Sequence, residues 1–193
     1  MVAAGLLLGW ALAWPCVAVA IDVQPAPDRI QAALERGKAA AAARTPPNEL
    51  YARFGGASEE EPRGFLATKV SGLAVMATHF ALRAEQPTDA DIRQILDDKT
   101  MLVSVTIYGD RPTFAQNSYL VLTQRSKLIK PTKVRFDGQA SLAPTWPKTP
   151  PFRAKVIASF LYEEFDPLAA TRISVFPATG GEIWFDVDFS KVE

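Results

Sequence analysis

Asp186 and Asp188 stand two residues apart in the stretch EIWFDVDFS, between bulky apolar neighbours. Paired carboxylates can contribute to a calcium site or flank a sugar as acid and base, and either use needs partners from other segments. Glu163, Glu164 and Asp166 are the further acids from which a carboxylate-dependent glycan hydrolase would draw its pair. The alternation around the aspartates points elsewhere. Ile183, Phe185, Val187 and Phe189 share one face of an extended segment, while Glu182, Trp184, Asp186, Asp188 and Ser190 share the other. This is the pattern of a half-buried strand whose carboxylates stand in water.

Other chemistry is thinly supplied. His79 is the only histidine, so every Ser-His-Asp, zinc or imidazole acid-base scheme must run through it. It lies in AVMATHFALR among small and apolar residues, the setting of a hydrogen-bonded structural histidine, and no G-x-S-x-G elbow accompanies it. Cys16 is the only cysteine and falls in the amino-terminal apolar run, which excludes disulfides and cysteine-bound metals from the rest of the chain. Gly55-Gly56 and Gly180-Gly181 lack the spacing of phosphate-cradling loops, and TGGE between ISVF and IWFDVDF reads as a hairpin turn. The sequence predicts no catalytic residue, no metal site and no cofactor.

Charge is the uneven feature. Lys+Arg and Asp+Glu are equal at 21 each, yet from Arg111 to Lys155 nine basic residues face Asp137 alone, while seven acids face two bases from Val156 onward. Two readings fit. Strands from the two segments lie side by side and pair their charges across the sheet. Alternatively Lys127, Lys130, Lys133 and Arg135 form a strip for an acidic envelope polymer, a lipid headgroup or an envelope protein. Nucleic acid is not expected, because no aromatic-interleaved basic groove is present and the isoelectric point is near 6.6. Trp146, held among prolines in APTWPKTPPF, either caps a core or stands out as a contact anchor. With Trp184, Asp186 and Asp188, these residues are the candidate partner-binding set.

The elements that must position them begin after residue 20. Residues 1 to 20, MVAAGLLLGWALAWPCVAVA, carry no charged side chain and end in Ala18-Val19-Ala20, which predicts a signal peptide cleaved after Ala20 and an exported chain. Retained, the same segment would anchor a membrane-tethered structural module. DRIQAALERGKAAAAAR, residues 28 to 44, predicts a helix capped by Asp28 with a thin apolar stripe, a loosely held arm. A Gly-rich linker, GGASEEEPRG, completes the stretch 21 to 63.

From residue 64 to 193 the period becomes two. Strands are predicted at Phe65 to Val70, Leu73 to Arg83, Met101 to Tyr108, Ser118 to Gln124, Thr132 to Phe136, Phe152 to Tyr162, Arg172 to Phe176 and Glu182 to Phe189. One short helix interrupts them, PTDADIRQILDD, with Thr88 as its cap and Ile92, Ile95 and Leu96 on one face. Seven or eight short strands and one helical crossover make a mainly β chain, an antiparallel β-sandwich. SGLAVMATHFALR, the DADIRQILDD helix and LVSVTIYG, in that order, resemble the layout of bacterial envelope immunoglobulin-like domains, over about Gly64 to Phe189. The resemblance implies an immunoglobulin-like sandwich in an adhesive, structural or accessory role and identifies no activity.

Overall fold

The structure is a computed structural model and describes residues 20–192. The predicted signal peptide, apart from Ala20, lies outside the described residues. Among those residues no helix is long and apolar enough to cross a membrane.

Two antiparallel sheets face each other. Strands β1 (Ala52–Gly55), β2 (Arg63–Ala67), β3 (Thr100–Gly109), β8 (Phe152–Leu161) and β6 (Lys133–Phe136) lie side by side in that order, and the two-residue β7 (Ser141–Leu142) also pairs with β8. The second sheet runs β10 (Ile183–Asp188), β9 (Ala170–Phe176), β4 (Tyr119–Gln124) and β5 (Lys127–Ile129). Every second side chain points inward, as a period of two requires. Met101, Val103, Val105 and Ile107 of β3 and Ala154, Val156, Ala158 and Phe160 of β8 join Leu120, Leu122, Ile173 and Val175 from the other sheet in one core. Burying each large side chain there is worth about 1.5–3 kcal/mol. The chain is thus mainly β with a sandwich-like pair of sheets.

Three helices form a second, smaller apolar cluster. α2 (Lys69–Leu82) occupies the segment whose residues 73 to 83 read as a strand. Val70, Leu73, Ala74 and Ala77 are buried at helical spacing, and Thr68 and Ser71 close a reciprocal capping box that fixes the helix start. The first of the three segments behind the immunoglobulin-like resemblance is therefore a helix. α3 (Asp89–Leu96) is capped by Thr88, as its sequence predicts, and turns Ile92, Ile95 and Leu96 onto the cluster.

α1 (Pro27–Ala42) is not a loose arm. It starts with Pro27 in the first turn and no side-chain cap, so Asp28 does not cap it. Ala33, Gly37 and Ala40 are buried, and Thr78 Oγ1 donates to the Gly37 carbonyl at 3.0 Å. A Cβ on Gly37 would lie 2.2 Å from the Ala74 carbonyl oxygen, so this helix pair packs at a distance that only glycine permits. A thin apolar stripe made the helix look weakly held, whereas small residues bring the two backbones into contact and gain dispersion along their length. The chain from Ala52 to Gly55, placed by sequence in the arm and linker, pairs with β2 and extends the larger sheet. Ile21 is 2% exposed and belongs to the sandwich core.

Candidate functional site

The register of the smaller sheet gathers its exposed residues into rows. Trp184 lies opposite Ser174, and Ser174 opposite Val121; Asp186 lies opposite Arg172, Arg172 opposite Thr123, and Thr123 opposite Leu128. Phe176 pairs with Tyr119 in the row beyond. Trp184, Phe176 and Tyr119 are 51%, 40% and 40% exposed on the outer face, while Ser174 and Val121 in the row with Trp184 are buried. Exposed aromatic side chains thus stand on three neighbouring strands of one face, and Leu128 adds an exposed apolar residue on β5.

Arg172 locks this surface. Its guanidinium donates Nε–H to Asp186 Oδ1 at 2.9 Å and Nη2–H to Oδ2 at 3.3 Å, and its Cζ sits over the Trp184 ring, 4.4 Å from the ring centre. Hydrogen bonding to Arg172 holds the Asp186 carboxyl below its ordinary range, and the same pairing raises the guanidinium. Asp188 also titrates low, first because Ser190 Oγ donates to it and then because Lys191 does, at 3.0 Å in the ion pair. It caps the short helical turn that follows β10. Between these groups a shallow depression of about 460 Å³ is lined by Thr123, Arg125, Arg172, Asp186 and Asp188 among others.

Both aspartates are therefore fixed anions with local partners. A glycan hydrolase needs one carboxyl held protonated as its acid, by a raised pKa, and the shifts here run the other way. Glu164 pairs with Lys127 at 3.9 Å, and Asp166 accepts the Leu168 amide while its own amide binds Gln124. His79 is exposed in the last turn of α2, not seated in a strand among apolar neighbours. No cluster of three His, Cys, Asp or Glu side chains able to hold a metal occurs among the described residues.

The four-residue basic strip is divided by the fold. Lys127 opens β5 in the smaller sheet, where Glu164 neutralises it; Lys133 and Arg135 lie on β6 in the larger sheet; Lys130 is exposed between them. Trp146 stands out of its loop at 58% exposure, so it caps no core. Sequence reasoning missed Arg172, Tyr119, Phe176 and Leu128, whose place on one sheet face with Trp184 depends on strand order and register. The TGGE turn behaves as its composition predicts, with Gly180 and Gly181 at φ of 97° and 83°.

No protein-family model matches the chain, and no curated protein matches it in sequence. Among solved structures it is similar to the archaellum periplasmic stator protein FlaG from Sulfolobus acidocaldarius, at 12% identity and a TM-score of 0.32, over 46% of this chain and 86% of that one. The complex of the archaellum periplasmic stator proteins FlaF and FlaG from the same organism gives 12% identity and a TM-score of 0.28, over 46% and 77%. Likeness at this distance leaves function to be argued from the chain's own residues.

Proposed function

We propose that this chain is an exported, non-catalytic binding module of the cell envelope that holds a protein partner against the outer face of its smaller sheet. One observation carries the reading: Trp184, Phe176 and Tyr119 stand exposed on neighbouring strands, with the Arg172 guanidinium held over the Trp184 ring. Tryptophan, tyrosine and arginine dominate the centres of protein interfaces: the aromatic pair bury large areas with few rotatable bonds, and arginine supplies a planar, multiply donating charged group. The clamp adds preorganisation, since Arg172 is already immobilised by Asp186 before a partner arrives. The uncharged segment 1 to 20 supports export, through cleavage after Ala20 or retention as a tether.

The test places a photo-activatable amino acid at Phe176, and separately at the exposed Gln139 between β6 and β7, in cells that export the chain. A discrete heavier species from position 176 and none from 139 is the expected result. Identical products from both positions, or none from either, would reject the aromatic face as the contact.

A further inference from the structure

The outer face of the larger sheet carries a second surface, unrelated to the aromatic one. On β8 the outward residues are Arg153, Lys155, Ile157 and Ser159. Across the pairing with β6, Lys133 lies beside Ser159 and Arg135 beside Ile157. Read along the strand direction, each outward step therefore holds one cation: Lys133, Arg135, Lys155, Arg153. Same-face neighbours in a strand are two residues apart, so the line advances about 6.6–6.8 Å per charge and is about 20 Å long. All four side chains are exposed, and none makes an ion pair among the described residues. Asp137, which follows β6 opposite Lys155, accepts the Lys155 backbone N–H on its Oδ2 at 2.8 Å.

The flank of the line is neutral. On β3, directly beside β8, the outward residues Leu102, Ser104, Thr106 and Tyr108 carry no charge. Beyond them Arg63 is bound to Glu59 and to the Ser58 carbonyl, and Arg53 reaches the Asn48 carbonyl. The free positive charge is a row rather than a field.

We propose that this row binds a linear phosphodiester polymer lying along β8, one phosphate to each cation. A bilayer presents anions over a plane and would meet a single line of cations beside neutral strands. An acidic peptide lying on a sheet face would find no backbone donors or acceptors there, and its own amides would lose water without compensation. A phosphodiester chain has no N–H groups to desolvate, and each of its charges offers oxygens that suit both the Arg fork and the Lys ammonium. With the aromatic face on the opposite sheet, one module can hold a protein and a polymer together.

The experiment measures binding of the full chain to fluorescently labelled poly(glycerol phosphate) by anisotropy over a salt series, beside polyglutamate and phosphatidylglycerol vesicles. The polymer is expected to bind most tightly, with an affinity that falls linearly in log salt. Arg135→Gln with Lys155→Gln should weaken it at least tenfold at low salt and flatten the slope by about 1.4, since each neutralised phosphate of a single chain contributes about 0.7. Arg111→Gln with Lys148→Gln, both off the row, should leave affinity and slope unchanged. Unchanged binding by the first variant, equal loss in the second, or tighter binding to polyglutamate or vesicles would each overturn the proposal. Circular dichroism of both variants separates these outcomes from misfolding.

Discussion

Arg172 and Asp186 face each other across β9 and β10, joined by two hydrogen bonds of 2.9 and 3.3 Å, with the guanidinium over the Trp184 ring. Three adjacent residues of one sheet face are thereby set in a single geometry. The aspartate that invites a catalytic reading serves to aim an arginine.

This pairing titrates. Asp186 has a folded pKa below its ordinary 3.8, so the pair contributes its full stabilisation above that value and loses it as pH falls through the depressed one. Asp186→Asn should remove the restraint on Arg172 at every pH. Trp184 fluorescence of the wild type is expected to change on acidification below pH 3.8, while the variant starts at the altered signal and stays flat there. A wild-type signal that titrates at the ordinary carboxylate value would deny the coupling.

Gly37 sits where α1 meets α2, and two opposing effects predict the outcome of filling it. Gly37→Ala would gain about 1 kcal/mol of helix propensity. The new methyl would meet the Ala74 carbonyl at 2.2 Å, a backbone atom that cannot swing aside, and overpacking of that kind costs about 1–3 kcal/mol. The clash wins, so urea denaturation should show net destabilisation, larger still for Gly37→Val. Stabilisation by the alanine would mean that the two helices stand further apart.

Ile21 is the first residue after the expected cleavage site, yet it lies within the sandwich core at 2% exposure. Ile21→Ala is expected to destabilise by about 2–5 kcal/mol, the range for emptying a buried aliphatic site. A dispensable leader would instead show a change within about 0.5 kcal/mol. Thermal unfolding of the two proteins decides between them.

How far sequence reaches can be judged from particular residues. The inward and outward sets of β10 follow from alternation alone, and Thr88 with Asp91 announces α3 through a capping box. Residues 73 to 83 read as a strand because Ala, Met and Leu suit either period; the signature of α2, Thr68 and Ser71 closing a cap around buried positions 70, 73, 74 and 77, is short. The α1 contact escaped because alanine and glycine carry almost no hydrophobic signal, although they let backbones meet. β1, β5 and β7 have four, three and two residues, too few to display a period. The row Lys133, Arg135, Lys155, Arg153 exists only through the β6–β8 register, which sets Lys133 beside Ser159 and Arg135 beside Ile157, far apart in the chain.

The aromatic face separates a binding role from a structural one. Trp184 and Phe176 are 51% and 40% exposed, so they lend the core little, and each serine substitution should shift stability by no more than about 0.5 kcal/mol. Val121, 4% exposed in the row with Trp184, is different: Val121→Ser strips apolar contact from a buried site and should cost about 1–3 kcal/mol. If the face is an interface, Trp184→Ser should abolish crosslinking from position 176 with the melting temperature unchanged. Loss of stability alongside loss of crosslinking would place Trp184 among the residues that hold the sheet together, and the partner would have to be sought elsewhere on the molecule.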